Sequence, residues 1–178
     1  AVTACGEIKE LTPAESLLEQ LSANIANGKI MFGHQDTYLY GHSWKVEADA
    51  IEFDKTDIHD ITGRYPALYG LDLGGIELDS PLNIDKNDFN HMRASAIAHH
   101  ERGGVITFSW HPRNPLTGGD TWDNNSTEVV ASILPGGENH EKFMGWLSKA
   151  ADFLGSIKDA EGNMIPVIFR PWHEHTRD

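Results

Sequence analysis

The sequence predicts an α/β fold, a (β/α)8 barrel of which this chain supplies about the first four βα units. Three observations carry that expectation. Short apolar runs alternate with amphipathic helical segments, and such alternation implies βαβ units around a parallel sheet. The runs are almost continuously apolar, as strands are when both faces of the sheet are covered. Each run also ends in polar residues of the kinds used for chemistry, and a barrel builds its active site at that end of its strands.

Taken in order, Thr12-Pro13-Ala14-Glu15 is a capping box with proline at the first helical position. Leu17, Leu18, Leu21 and Ile25 then share one face, and Gly28 supplies the stop. The first strand is expected over 29–34, followed by a helical stretch over 56–61 that ends at Gly63. The second strand runs over 67–72. Its helix spans about 86–102, with Phe89, Met92, Ala96 and Ile97 apolar and Gly103-Gly104 closing it. The third strand covers 105–110. After a long loop, 140–157 is the strongest helix, burying Phe143, Trp146, Leu147, Ala150, Phe153, Leu154 and Ile157, and the fourth strand covers 165–170. Gly70-Leu71-Asp72-Leu73-Gly74-Gly75 lacks the glycine spacing of a dinucleotide turn, which disfavours a nucleotide-binding doubly wound sheet.

Bulk properties narrow the partners. A formal net charge of −13, from 27 acidic and 14 basic residues, argues against nucleic acid, whose phosphates would be repelled. The single cysteine, Cys5, allows no internal disulfide. It lies in Val2-Thr3-Ala4-Cys5-Gly6, which resembles the end of a bacterial lipoprotein signal peptide. Residues 1–10 are therefore expected to be a tether, lipidated at Cys5, on a protein that is secreted, periplasmic or anchored to the outer membrane. Residues 11–178 form the barrel segment. A complete barrel takes roughly 250 residues.

The polar strand ends are His34-Gln35-Asp36, Asp72, His111-Pro112-Arg113-Asn114 and His173-Glu174-His175. Trp110-His111-Pro112-Arg113-Asn114-Pro115 and Phe169-Arg170-Pro171-Trp172-His173-Glu174 together resemble glycoside hydrolase family 26, whose members are mainly β-mannanases. Phe32-Gly33-His34-Gln35 and Tyr69-Gly70-Leu71-Asp72 match its first two barrel strands, so the resemblance covers roughly residues 29–176. It implies hydrolysis with retention, Glu174 as general acid/base, and His111 and His173 lining the subsite around the scissile bond. The nucleophilic glutamate would follow strand seven, outside these residues. No cofactor is implied, and the substrate would be a β-mannan-type polysaccharide or oligosaccharide.

Chemistry supports those roles. Retention needs a proton donor and a nucleophilic carboxylate about 5–5.5 Å apart. The donor must keep its proton, which burial favours, and Trp172 beside Glu174 is expected to desolvate it in part. Sugars present apolar C–H faces, so Trp110, Trp122 and Trp172 are candidate platforms, with Trp44 a further one. Arg113 is expected to shape its loop and Trp146 to be core. Where family members usually follow the acid/base with a small residue and then an aromatic-rich stretch, this sequence reads His175-Thr176-Arg177-Asp178. The isolated chain is expected to be inactive, and its open final strand to seek a complementary barrel half or a second copy. Two alternatives stand beside this reading: a metal-dependent barrel hydrolase using His34, Asp36, His111, His173 and His175, and a non-catalytic carbohydrate-binding fragment.

Overall fold

The computed structural model describes residues 10–174, so the expectations placed on Cys5 and His175 lie outside the described residues. The chain divides into two compact units, residues 1–30 and 31–178. The first holds α1 (Pro13–Ala26), which begins as its sequence demands. Glu15 N donates to Thr12 Oγ1 at 3.2 Å while Thr12 N donates to Glu15 Oε2 at 2.9 Å, closing the capping box. Gly28 leaves the helix at φ 65°, a conformation that favours glycine. No residue of α1 is buried.

The second unit is built on a four-stranded sheet: β1 (Gly33–Gln35), β2 (Leu68–Asp72), β3 (Val105–Trp110) and β4 (Val167–Pro171). All neighbours pair in parallel in the order β1-β2-β3-β4, with Gly33 opposite Leu68, Leu68 opposite Val105 and Ile106 opposite Val167. Strand order follows chain order without reversing. That is the arrangement of a βα barrel, whereas a doubly wound sheet reverses at its switch point. Between the strands lie α2 (Asp57–Thr62), α3 (Phe89–Glu101), α4 (Val129–Ile133) and α5 (His140–Gly155).

Every residue of β3 is buried, and its two faces do different work. Side chains alternate across a strand. Phe108 meets Phe153 of α5 edge-on at 5.8 Å, and Trp110 stacks on Phe143 of the same helix at 6.1 Å. Burying aromatics of this size contributes roughly 1.5–3 kcal/mol each. On the other face Val105 is followed by polar residues: Thr107 Oγ1 donates to Ile168 O at 3.0 Å, and Ser109 reaches Asp72. This polar face leads up to the rim where β2, β3 and β4 end.

Sequence and structure differ at several boundaries, each for a local reason. β1 is three residues long, and the side chains of Ile30 and Phe32 before it are exposed, although Phe32 O still accepts from Ala67 N at 2.9 Å. α3 starts after Asp88, whose carboxylate caps Asn90 N and His91 N, while Lys86 just before it sits at φ 62°. α4 lies within the stretch expected to be loop, and α5 ends at Gly155. β4 begins at Val167, because Ile165 N is used by Ile157 O.

Candidate active site at the C-terminal rim

Asp72, the last residue of β2, is only 2 % exposed and is clasped by donors from three directions. Its Oδ1 accepts from Gly74 N at 2.7 Å and His111 N at 3.3 Å. Its Oδ2 takes the Ser109 hydroxyl at 2.6 Å and lies 2.7 Å from His111 Nδ1. A buried carboxylate is tolerated when donors replace its water, and here they also anchor an imidazole. His111 thereby presents Nε2 to the rim, 3.8 Å from Oε2 of Glu174.

Glu174 arrives through an unusual turn. Beyond β4, Trp172 and Glu174 both adopt positive φ, 51° and 58°, which side-chain-bearing residues rarely do. Such conformations cost on the order of 1–3 kcal/mol and are concentrated at functional sites. The turn is held by His173 N donating to Trp110 O at 3.2 Å, and by Phe143, on which the Trp172 ring stacks at 6.1 Å. The His173 ring meets His111 edge-on at 4.9 Å. Arg170 positions it from beneath: its Nε donates to Thr107 Oγ1 at 2.9 Å, and its Nη1 lies 3.3 Å from His173 Nδ1. The Glu174 side chain is 41 % exposed, partly covered and partly open to the cleft.

A second buried carboxylate fixes the β3 loop. Glu77, in the 3-10 turn Ile76–Leu78, accepts from Gly75 N at 3.1 Å, Trp110 Nε1 at 3.2 Å and Arg113 N at 2.9 Å. It thus grips the chain on both sides of His111. Arg113 itself donates from Nη2 to Gly118 O at 2.8 Å, shaping the loop through a backbone carbonyl. The loop beyond it walls a cleft of about 500 Å³ whose lining includes His111, His173, Glu174, Trp122 and Trp172.

Sequence reasoning therefore brought together residues that do meet. Glu174, His111 and His173 share one cleft, with Trp122 and Trp172 on its lining, 59 % and 44 % exposed. Trp110 is a correction. It is fully buried between Phe143 and Phe169, with its indole N–H spent on Glu77, and it has no face to offer a sugar. Its side chain follows the strand's alternation toward α5, while the next residue, His111, turns to the rim. Trp44 donates to Asp57 Oδ1 at 2.7 Å beneath Lys55, outside this cleft. Glu77 was missed, because a single glutamate in a loop carries no sequence signal. Among the described residues, no three His, Cys, Asp or Glu side chains converge as metal ligands, which leaves the metal alternative without a ligand set there.

One further acid lies at the same rim. Asp36, directly after β1, is fully buried at φ 50°. It accepts from Tyr40 OH at 3.2 Å, while its Oδ1 meets no donor among the described residues. Burial first, and then the nearby Asp85 and Asp72 carboxylates, push its carboxyl up to about 7.

The chain is similar to known proteins over most of its length. The model of glycosyl hydrolase family 26 matches residues 10–178. A mannan endo-1,4-beta-mannosidase of Bifidobacterium adolescentis is 30% identical over 182 residues, covering 95% of this chain and 16% of that protein. One of Bacillus subtilis is 31% identical over 123 residues, covering 68% of this chain and 33% of that protein. Among solved structures, a GH26 beta-mannanase from Bacteroides ovatus superposes with a TM-score of 0.84 at 45% identity, over 93% of this chain and 47% of that one. An endo-beta-1,4-mannanase from Cellulomonas fimi gives 0.75 at 30% identity, over 91% and 36%. The chain thus spans less than half the length of each of these proteins, and its sheet supplies about the first four βα units of a (β/α)8 barrel.

Proposed function

Because the chain belongs to glycosyl hydrolase family 26, we propose that it is the acid/base-bearing part of a retaining hydrolase of β-mannan-type polysaccharide or oligosaccharide. One observation carries this reading. A carboxyl on a strained turn, Glu174, stands in a cleft beside an imidazole that a buried carboxylate anchors, with two partly exposed tryptophans on the same lining.

In this reading Glu174 gives its proton to the glycosidic oxygen as the C1–O bond breaks and a nucleophilic carboxylate bonds to C1. Glu174 then takes a proton from the water that displaces that carboxylate. The nucleophile comes from a later strand of the barrel, about 5–5.5 Å from Glu174 across the sugar. Trp122 and Trp172 supply apolar faces against sugar C–H groups, and His111 and His173 bind hydroxyls beside the scissile bond. Completion of the barrel pairs the outer edges of β1 and β4, either with further strands or with a second copy; residues 10–174 alone are inactive. Cys5 is a lipid attachment point for a protein outside the cytoplasm.

The test is Glu174→Gln in the active enzyme. Mannan turnover falls by at least about 100-fold, the lower range for losing a general acid. Calorimetric binding of manno-oligosaccharide persists, and added azide restores turnover of an activated aryl mannoside as the glycosyl azide. Unchanged mannan turnover would sink the assignment. Binding without any turnover by the unsubstituted enzyme would favour the carbohydrate-binding alternative.

A further inference from the structure

The two histidines flanking Glu174 face partners of opposite character, and this bears on how the site handles its proton. His111 Nδ1 is 2.7 Å from Oδ2 of Asp72, a carboxylate oxygen that can only accept. In the neutral ring the proton therefore sits on Nδ1, and Nε2, the nitrogen 3.8 Å from Glu174, is an acceptor. His173 Nδ1 instead faces Arg170 Nη1 at 3.3 Å, a group that can only donate. Its proton belongs on Nε2.

We propose that Asp72 is a positioning residue that acts through His111, holding that imidazole as the Nδ1–H tautomer so that it cannot donate a hydrogen bond to Glu174. The inference rests on the glycosidase reading only for its catalytic consequence. A donor at that point would favour the ionised form of Glu174 and draw it away from the protonated state that leaving-group departure requires. With Nε2 an acceptor, Glu174 keeps its proton for the glycosidic oxygen, and the imidazole accepts from a sugar hydroxyl. His173, the donor of the pair, serves the complementary lone pairs. Opposite tautomers thus give one cleft both kinds of hydrogen-bonding group.

The geometry around Asp72 makes the consequence of a single substitution unusually definite. In Asp72→Asn the amide has one oxygen to place. Two backbone N–H groups, from Gly74 and His111, converge on the Oδ1 position and demand it there. The NH2 group is then forced to the Oδ2 position, facing His111 Nδ1. Ser109, which donates to Oδ2, has a second acceptor in Leu71 O at 3.2 Å and can turn to it. The cradle stays satisfied, and only the imidazole inverts, to Nε2–H.

The experiment is histidine-selective 15N NMR of the intact protein, at a pH where both rings are neutral. The expected wild-type spectrum shows His111 protonated at Nδ1 and His173 at Nε2. In D72N, His111 moves to Nε2–H and His173 is unchanged, serving as the internal reference. Mannan turnover by the variant drops on the order of tenfold, the scale of one hydrogen bond to a charged group. An aryl mannoside whose leaving group needs no proton is spared. A wild-type His111 carrying its proton on Nε2, or a D72N spectrum that leaves it on Nδ1, overturns the proposal. Should D72N not fold, the wild-type spectrum decides alone. If the unsubstituted enzyme turns over no mannan, the glycosidase reading falls while the spectrum still decides the tautomer.

Discussion

The β2–β3 rim and the β1 rim each bury carboxylates, and they treat them in opposite ways. Asp72 and Glu77 are both 2 % exposed; the first is met by Gly74 N, Ser109 Oγ and the backbone N and Nδ1 of His111, the second by Gly75 N, Trp110 Nε1 and Arg113 N. Asp36 is also fully buried, but its side-chain donors among the described residues are few, the Tyr40 hydroxyl and the nearby Asn87 side chain, and two further acids stand close by. The difference lies in donor supply. At β2 and β3 the chain turns so that successive backbone N–H groups point at the acid, whereas at β1 they are used elsewhere: Asp36 N bonds Gly70 O and Leu39 N bonds Asp36 O. Burial with donors makes an anchor. Burial without them makes a group that titrates near neutrality.

The largest effect should come from breaking the well-supplied side. Glu77→Ala strands three donors at roughly 1–3 kcal/mol each, so chemical denaturation should register a loss on the order of 5 kcal/mol. A loss below about 1 kcal/mol would mean that the rim does not depend on its buried acids. The poorly supplied side is probed by pH. Asp36 is raised from 3.8 to about 7, so its contribution to stability is fully present below pH 3.8 and is lost as pH rises toward 7. The span amounts to about 4 kcal/mol at 1.36 kcal/mol per pH unit. His99, lowered to about 4 by burial, titrates with the opposite sign between pH 4 and 6.5, so the wild-type curve alone conceals the effect. The measurement is the wild-type curve minus that of Asp36→Asn between pH 4 and 8, and a flat difference would place Asp36 among the anchors. The smallest effect is expected from Ser109→Ala. It removes one of several donors to Asp72 and should cost about 1 kcal/mol in the same denaturation assay. A cost as large as that of Glu77→Ala would show that the donors act as one cooperative unit.

Much of this arrangement was legible beforehand. The strand and helix alternation is written in local periodicity, and β3 runs over the residues its apolar stretch marks. That Glu174, His111 and His173 would share one cleft was legible because strand-terminal positions of parallel strands meet at a rim. Glu77 and the buried environment of Asp36 were not. A carboxylate's role depends on which N–H groups reach it, and those come from Gly75, Trp110 and Arg113, up to 36 residues away. Trp110 misled for a related reason. Its place in a motif beside His111 suggested the cleft, but strand alternation sends adjacent side chains to opposite faces.

By itself the sequence determined the order and kind of the elements, the parallel sheet and the end of it where polar residues gather, because those follow from periodicity and local capping. Tertiary structure alone decided which acids are anchored, which imidazole nitrogen faces the cleft and which tryptophan is core. Each of those depends on distances between segments remote in the chain, and hydrogen bonding changes sharply over an ångström.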